Sequence, residues 1–156
     1  MGTMEEQKIK DTIIELVCNV DDMTAEQTGF AIEQLMSAGA LDVFAVPAVM
    51  KKSRPGTILH ILCKEEKRDE MITQIFRHTT TLGIREMQMQ RYILNRRFAT
   101  VQTKYGPVSC KISEGYGTVR HKFEYDDLAR IAREQGVSLA EVREAAEAAL
   151  TSGKLS

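Results

Sequence analysis

Six segments between residues 12 and 95 carry two different hydrophobic periods, and their order is what most constrains the fold. A period of two residues, typical of a half-buried strand, occurs in 12–20, 41–50, 57–63 and 84–94. Helical spacing occurs between them, in a segment that starts at Thr24 and in another that ends near Gly83. The order strand, helix, strand, strand, helix, strand is that of the ferredoxin-like split βαβ unit. We therefore predict an α+β fold with a ferredoxin-like βαββαβ core, in which an antiparallel sheet carries two helices on one face.

Local signals mark where these elements begin and end. Thr24 and Gln27 form a capping box at the start of the first helix, and Gly39 is expected to end it. Pro47 cannot donate a backbone hydrogen bond, so we place the second strand at a sheet edge or a bulge. The residues SRPG, 53–56, predict the turn of a hairpin between the second and third strands. The first helix carries apolar residues at helical spacing: Phe30, Ala31, Leu35 and Ala38.

The rest of the chain has a different pattern. Residues 96–112 predict a β-hairpin around KYGP, and a Gly-containing loop at 114–121 follows. Two helices come next, the second opened by a capping box of Ser138 and Glu141. We therefore divide the chain into three parts: a tag-like, disordered N-terminus (1–11), a ferredoxin-like domain (12–95), and a β-hairpin plus two-helix C-terminal subdomain (96–156).

Several classes of protein are disfavoured by composition. The three cysteines lie far apart with no C-x-x-C spacing, which argues against a disulfide framework and for a reducing cytoplasm. No apolar run approaches the ~20 residues that span a bilayer, and the polar N-terminus has no signal-peptide pattern. The three histidines are scattered without zinc-site spacing, and no nucleophile elbow is present. We expect a cytoplasmic protein without a membrane partner.

Charge is distributed unevenly along a chain whose formal net charge is only −1. Residues 1–50 hold 2 basic and 9 acidic groups, residues 51–122 hold 15 and 6, and residues 123–156 hold 4 and 7. A strongly positive middle inside a near-neutral chain indicates a concentrated anion site instead of a protein that is basic throughout.

The cations and hydroxyls of this middle segment are candidates for binding phosphate. Arginine can grip a phosphate with two parallel hydrogen bonds, whereas lysine acts as a compact point charge. A solvated hairpin tip and a helix C-terminus that favours cations would explain part of the same pattern. The candidates are Lys51, Lys52 and Arg54 at the expected turn, then Arg77, His78, Thr79, Thr80, Thr81, Arg85 and Arg91.

Two acidic clusters are candidates for a hard metal ion. Asp21 and Asp22 follow the first strand, and Glu124, Asp126 and Asp127 open a later helix. Negative charge is favoured at a helix start, which by itself accounts for the second cluster. Thr24 already supplies the cap of the first helix, so neither Asp21 nor Asp22 is needed there. Mg²⁺ and Mn²⁺ prefer a few carboxylates together with phosphate oxygens.

Six ordered blocks, together covering residues 13–150, resemble the C-terminal part of the LarC nickel insertase family. They are NVDDMT, GALDVFAVPAVMKKSRPG, TTTLGIRE, RYILNRR, VQTKYGPVSCKI and KFEYDDLARIAREQGVSL. The family pattern usually has Pro where this chain has Phe123, which loosens the expected placement of the carboxylates at Glu124. The family's larger N-terminal portion lies outside this chain, so the resemblance implies a domain that is catalytically incomplete alone.

The resemblance implies a CTP-dependent nickel insertase, or chelatase, of the lyase class. Such proteins insert Ni²⁺ into pyridinium-3,5-bisthiocarboxylic acid mononucleotide to make the nickel-pincer nucleotide cofactor, and they consume CTP to CMP and pyrophosphate. The C-terminal domain would bind CTP with Mn²⁺ or Mg²⁺ and form a homo-oligomer, a trimer or a hexamer. The implied partners are the pincer mononucleotide and the N-terminal LarC portion or subunit, with no nucleic acid and no membrane.

The residue patterns and the resemblance lead to one assignment of the site. Metal ligands are expected from Asp21 and Asp22, with Glu124 and Asp126 as second candidates, and the catalytic residues are not identified. Two alternatives remain open: a ferredoxin-like ligand-sensing regulatory module, and an RNA-binding domain without RNP-like or GXXG signature. The residues expected to bind the nucleotide are Lys51, Lys52, Arg54, Thr80, Thr81, Arg85 and Arg91.

Overall fold

Strand β1 (Lys10–Val20) buries one alternating row of its side chains and lies inside a four-stranded sheet. The structure is a computed structural model, and it describes residues 9–156 of the chain. These residues divide into an N-terminal unit, Lys10–Arg91, and a C-terminal unit, which comprises Tyr92–Ser156 and Ile9. The first eight residues of the expected tag-like segment lie outside the described residues, whereas Lys10 and Asp11 begin β1.

The N-terminal unit has the predicted ferredoxin-like topology. After β1 come α1 (Ala25–Ser37), β2 (Asp42–Met50), β3 (Arg54–Cys63), α2 (Arg68–His78) and β4 (Arg85–Tyr92). The strand order in the sheet is β2-β3-β1-β4, and β3 pairs antiparallel with both β1 and β2. The α+β class is thereby confirmed, because this element order and this strand order are those of the ferredoxin-like split βαβ arrangement.

One face of this sheet and both helices enclose a single core. Ala31 and Leu35 of α1 and Met71 and Ile75 of α2 supply the buried helix positions, four residues apart in each case. This spacing places each pair on one side of its helix. The side chains from the sheet that complete the core are Ile14, Leu16, Cys18, Val43, Leu59, Ile61 and Cys63.

The hairpin between β2 and β3 differs in its turn from the expectation. Met50 pairs directly with Arg54, so the turn is Lys51–Ser53, and the predicted turn residues 54–56 already belong to β3. Lys52 and Ser53 have φ angles of 59° and 58°, in the left-handed region. Pro47 lies on β2, which is an edge strand, as predicted from its missing donor.

The C-terminal unit contains one more strand than expected. Its elements are β5 (Asn95–Thr103), β6 (Gly106–Gly115), β7 (Thr118–Phe123), α3 (Tyr125–Gln135) and α4 (Leu139–Thr151). The hairpin of β5 and β6 and the two helices confirm the predicted order. The expected loop at 114–121 is instead a tight turn followed by β7, which pairs antiparallel with β6. The side chains of β7 are mostly polar and exposed, so backbone pairing with β6 decides its conformation.

The cysteines are small buried residues of the two cores. Cys18 and Cys63 belong to the core of the N-terminal unit and Cys110 to that of the C-terminal unit, and all three are free thiols. Burial raises the pKa of each thiol, which keeps it in the unreactive neutral form. Within residues 9–156, no helix has the length and apolar character needed to cross a bilayer.

Candidate functional site

Asp21 and Asp22 directly follow β1, and their carboxylates bind different partners. Oδ2 of Asp21 lies 3.8 Å from Nη1 of Arg54, the first residue of the neighbouring β3. Oδ1 of Asp22 accepts a short hydrogen bond from the hydroxyl of Thr80, which lies in the loop between α2 and β4. The two carboxylates therefore reach toward opposite neighbours of β1, with one cation and one hydroxyl beside them.

Helix capping does not account for either aspartate. The hydroxyl of Thr24 accepts from the backbone N–H of Gln27 at 3.2 Å, and the Gln27 side chain accepts from the Thr24 N–H at 2.9 Å. This confirms the predicted capping box of α1. Asp21 and Asp22 are exposed at the end of the strand, and neither caps the helix.

The polar end of β1 continues toward β4. Arg85, the first residue of β4, donates from Nη2 to Oδ1 of Asn19 at 2.8 Å. Thr81 donates its hydroxyl to the Gly83 carbonyl at 2.8 Å, so it shapes the loop that carries Thr80. Of the two threonines in the predicted site, Thr80 contacts the acidic pair and Thr81 organises the loop beside it.

Lys51 and Lys52 form the exposed tip of the β2–β3 hairpin, next to Arg54. Among residues 9–156, no carboxylate forms an ion pair with either lysine. Their charge is available for a ligand. With Asp21 paired to Arg54, the hairpin tip and the end of β1 bring together five of the predicted residues, Lys51, Lys52, Arg54, Asp21 and Asp22.

Arg91 lies away from this group. Its Nε and Nη2 atoms donate to the two carboxylate oxygens of Asp11 at 2.9 and 2.7 Å, and Lys64 donates to the same carboxylate at 2.6 Å. Hydrogen bonds from Arg91 and Lys64 hold the pKa of Asp11 well below its ordinary value. Arg85 and Arg91 are six positions apart on β4, which separates them by roughly 20 Å along the strand. Arg91 thus joins an ion-pair cluster at the other end of the sheet.

Glu124 and Asp126 belong to the C-terminal unit. Glu124 is the N-cap residue of α3 without a side-chain cap bond, and Asp126 lies exposed in the first turn. The acidic residue that makes a structural contact is Asp127, whose Oδ2 accepts from the backbone N–H of Ser109 at 2.7 Å. This hydrogen bond lowers the pKa of Asp127. The sequence pattern placed all three in one acidic cluster and assigned a metal to Glu124 and Asp126, whereas the contact made by Asp127 depends on the packing of α3 against β6.

The donors at the end of β1 fit a hard divalent ion that brings ligands of its own. Within residues 9–156, no three side chains of His, Cys, Asp or Glu are grouped to hold a metal. Asp21, Asp22 and the Thr80 hydroxyl offer oxygen donors only, the chemistry that Mg²⁺ and Mn²⁺ prefer. Such ions are commonly held by one or two carboxylates plus substrate phosphates. The donor set therefore suits an ion bound together with a polyphosphate.

A cleft beside this cluster contains residues that the sequence pattern did not identify. It has a volume of about 470 Å³ and lies between the start of α1 and the end of α2. Phe30, expected on the apolar side of α1, is 55% exposed, because Ala31 and Leu35 occupy the side that faces the core. Ala31, Leu35 and Ala38 follow the spacing of one helix side by themselves, and this pattern in the sequence would have indicated that Phe30 is exposed. The lining residues are Met23, Glu26, Gln27, Phe30, Arg77, His78, Thr79 and Thr80.

Comparisons with a family model and with known proteins all point to nickel insertion proteins. The family described as "Nickel insertion protein" matches residues 2–143. A pyridinium-3,5-bisthiocarboxylic acid mononucleotide nickel insertion protein of Acetivibrio thermocellus is 38% identical over 146 residues, 94% of this chain and 36% of that protein. A protein of the same description from Alkaliphilus metalliredigens is 40% identical over 138 residues, 88% of this chain and 33% of that protein. The chain thus spans about a third of the length of these relatives.

Two solved structures resemble the chain over most of its length. One is the apo form of the C-terminal domain of a cyclometallase involved in the synthesis of the NPN cofactor of lactate racemase. It has a TM-score of 0.79 and 36% identity, and the match covers 92% of this chain and 99% of that one. The other is a protein of Methanopyrus kandleri AV19, with a TM-score of 0.70, 30% identity and 92% coverage of both chains.

Proposed function

The chain belongs to the nickel insertion protein family, and from this premise we propose that it is the CTP- and divalent-metal-binding C-terminal domain of a nickel insertase. The whole protein would insert nickel into pyridinium-3,5-bisthiocarboxylic acid mononucleotide. The remaining two thirds of such a protein would come from an N-terminal portion or subunit. Ni²⁺ is cargo in this reaction, and its ligands would be sought in that other portion.

One observation carries the proposal: acidic side chains lie beside cations and a hydroxyl at the end of β1. Asp21 lies beside Arg54, Asp22 accepts from Thr80, and Lys51 and Lys52 at the adjacent hairpin tip form no ion pair with any described residue. A triphosphate carries about four negative charges and is bound in proteins by cations together with a hard metal ion. The cluster offers both kinds of group within one unit of the fold.

The cluster suits cleavage of the triphosphate at its α-phosphorus. An oxygen of the substrate that accepts the nucleotidyl group would form a bond to the α-phosphorus. The bond between the α-phosphorus and the oxygen that bridges it to the β-phosphorus would break, and pyrophosphate would leave. Lys51, Lys52 and Arg54 would neutralise the charge that grows on the leaving group. A bound Mg²⁺ or Mn²⁺, held by Asp21 and Asp22, would add charge stabilisation of the same kind. Thr80 would donate to a phosphate oxygen or hold Asp22 in place.

A thermal-shift panel tests the binding part of the proposal. The chain is heated with CTP, ATP, GTP or UTP, each with Mn²⁺ or Mg²⁺, and with a short RNA. A ligand at 100 times its dissociation constant should add about 2.7 kcal/mol of stability. We expect the shift from CTP with metal to exceed the others. Equal shifts from all four nucleotides, or none from CTP, would contradict the proposal, and a shift from RNA alone would favour the RNA-binding alternative.

Substitution of the hairpin cations tests the placement of the site. The double variant Lys52→Ala with Arg54→Ala should abolish the shift caused by CTP and metal. Arg120→Ala with Lys122→Ala removes the same two charges from exposed positions of β7 and should leave the shift intact. An unchanged shift in the first variant would remove the hairpin from the nucleotide site.

Release of pyrophosphate separates an enzyme from a ligand sensor. The assay combines this chain with the N-terminal portion of a relative, the pincer mononucleotide, Ni²⁺ and CTP with metal. We expect pyrophosphate only when both portions are present. CTP binding without pyrophosphate under these conditions would favour the regulatory module.

A further inference from the structure

We propose that the helix-free face of the C-terminal sheet binds the pincer mononucleotide. The exposed ring of Phe98 would stack on the pyridinium ring, and the cations around it would hold the phosphate and the thiocarboxylates. The proposal rests on the proposed function, because it concerns the second substrate of the same reaction. The cations of this face are Arg96, Lys111, Arg120 and Lys122. All four belong to the positively charged segment 51–122.

The register of β5, β6 and β7 shows which side chains share this face. Ala99, Cys110 and Phe123 are direct cross-strand neighbours, and all three pack in the core that includes residues of α3 and α4. Successive side chains of a strand point to opposite faces of a sheet, so positions one and three residues from this row point away from the helices. Two cross-strand rows on the helix-free face result: Phe98, Lys111 and Lys122, and then Arg96, Ser113 and Arg120.

The helix-free face carries positive charge and no carboxylate. Glu114, the one acidic residue of the described strands β5 to β7, lies on the opposite face, and its Oε1 is 3.6 Å from Nε of Arg97. Among residues 9–156, no carboxylate forms an ion pair with any of the four cations. Lys111 and Lys122 are direct cross-strand neighbours, and two like charges in this arrangement destabilise a sheet. This concentration of charge favours an anionic ligand.

One aromatic ring lies among these cations. Phe98 is 73% exposed and is the cross-strand neighbour of Lys111. Aromatic side chains stack on flat ligand rings, and they attract a ring that carries positive charge. Sheets that bind single-stranded RNA stack two or three bases on aromatic side chains. Phe98 is the single aromatic residue on this face of the described strands β5 to β7, which suits a ligand with one ring.

The chemical groups of the pincer mononucleotide complement this face. Its name specifies a phosphate, two thiocarboxylates and a pyridinium ring. The phosphate carries about two negative charges near neutral pH, each thiocarboxylate carries one, and the ring is positive, so the net charge is about −3. An arginine can hold a phosphate with two hydrogen bonds, and the pyridinium can lie on the face of Phe98. Neighbouring cations on this face are about 5 to 10 Å apart, so one ligand can contact several of them.

The test is calorimetric titration of the full chain with pyridinium-3,5-bisthiocarboxylic acid mononucleotide. Lys111→Gln with Lys122→Gln should weaken binding by at least about tenfold, because two hydrogen bonds to charged groups are lost. Phe98→Ala should weaken it by at least about fivefold, as expected for the loss of one stacked ring. Phe98→Tyr keeps the ring and should bind within about twofold of the unmodified chain.

A matched control removes the same charges elsewhere in the C-terminal unit. Lys104→Gln with Lys154→Gln changes two exposed lysines outside the helix-free face and should leave the affinity for the mononucleotide unchanged. Urea unfolding checks the fold of each variant. Lys111→Gln with Lys122→Gln should be at least as stable as the unmodified chain, since two opposed like charges are removed.

The outcomes for the two substrates are read separately. Loss of mononucleotide binding in the face variants, with binding of CTP and Mn²⁺ retained, supports the proposal. Unchanged mononucleotide binding in these variants, or none to the unmodified chain, overturns it while the CTP result leaves the proposed function intact. A short single-stranded RNA that binds more tightly than the mononucleotide, and is lost in the same variants, would also overturn it. Absence of CTP binding to the unmodified chain contradicts the proposed function instead.

Discussion

At the residue scale, Asp21 and Asp22 show why two adjacent like charges can stand at a strand end. Each carboxylate is directed to its own partner, Asp21 to Arg54 and Asp22 to Thr80, so the pair is divided between opposite neighbours of β1. Both carboxylates remain at the surface, where water weakens their mutual repulsion. Under the proposed function, both carboxylates would turn to a cation that arrives with a phosphate.

Gly56 is held at a close approach of two strands near this cluster, which leads to a first prediction. A Cβ at this position would lie 2.2 Å from Sδ of Met50 and 3.0 Å from the backbone oxygen of Val20. The methionine can move, but the strand carbonyl cannot. Gly56→Ala should therefore lower the free energy of unfolding by about 1–3 kcal/mol.

The control for this prediction is Gly29→Ala in α1. A Cβ there meets no atom within 4 Å, and the residue lies inside a helix. It should raise the stability by about 0.5–1 kcal/mol. Urea unfolding monitored by circular dichroism measures both variants, and equal effects of the two substitutions would contradict the close approach at Gly56.

Asp11 provides a prediction of pH dependence. Its pKa is lowered by hydrogen bonds from Arg91 and Lys64, so the folded chain holds the proton more weakly than the unfolded chain. The ion pairs therefore contribute fully above the ordinary carboxyl pKa of about 4, and the contribution is lost as the pH falls toward the lowered value. Asp11→Asn should melt below the unmodified chain at about pH 7, and the difference should shrink between about pH 4 and about pH 2.

Thermal melts at several pH values measure this effect. Asp42→Asn, at an exposed position that begins β2, serves as the matched control and should change the Tm little at any pH. A difference for Asp11→Asn that stayed constant down to about pH 2 would show that the ion pairs do not depend on ionisation of Asp11.

At the scale of elements, the β2–β3 hairpin combines strain with exposed charge. Its turn places two consecutive non-glycine residues, Lys52 and Ser53, at positive φ. Such a conformation costs roughly 1 kcal/mol for each residue with a side chain. Strain of this kind is typical of positions that serve a ligand, and at Lys52 the side chain is a cation of the proposed phosphate site.

Two glycine substitutions separate strain from function in this turn. Lys52→Gly and Ser53→Gly should each raise the free energy of unfolding by about 1 kcal/mol, because glycine adopts positive φ without steric cost. Only Lys52→Gly should also weaken binding of CTP with Mn²⁺. Calorimetric titration and urea unfolding on the two variants check this; equal binding by both would mean that Lys52 does not contact the ligand.

At the scale of the whole molecule, the described chain has two units with separate cores. The N-terminal unit contains Asp21, Asp22, the cations of the β2–β3 hairpin and the cleft between α1 and α2. Glu124 and Asp126 belong to the C-terminal unit. The two acidic clusters predicted as metal candidates can therefore be distinguished by substitution in the full chain.

We predict that the metal depends on the first cluster. Asp21→Asn with Asp22→Asn should weaken Mn²⁺-dependent binding of CTP by at least about tenfold, since the two ligand charges are lost. Glu124→Gln with Asp126→Asn, which removes the same two charges, should change it less than about twofold. Titration of CTP at fixed Mn²⁺ measures both. The reverse outcome would move the metal site to the start of α3.

Features that depend on neighbouring residues could be predicted from the sequence. The capping boxes of Thr24 with Gln27 and Ser138 with Glu141 are present in α1 and α4, since a cap requires only four consecutive residues. The ferredoxin-like order followed from hydrophobic period, which each segment carries by itself. The resemblance of the six ordered blocks to the nickel insertion family was confirmed by the match over residues 2–143.

Only the tertiary structure decided which distant side chains meet. Asp22 and Thr80 are 58 positions apart, Asn19 and Arg85 are 66 apart, and Asp11 and Arg91 are 80 apart. Hydrophobic period assigns a residue to a face of its strand, but it does not say which end of the sheet a distant partner occupies. For this reason Arg85 and Arg91, similar in sequence context, lie with different partners at opposite ends of β1. The cleft around Phe30 likewise required the packing of α1 beside α2, because neither helix forms it alone.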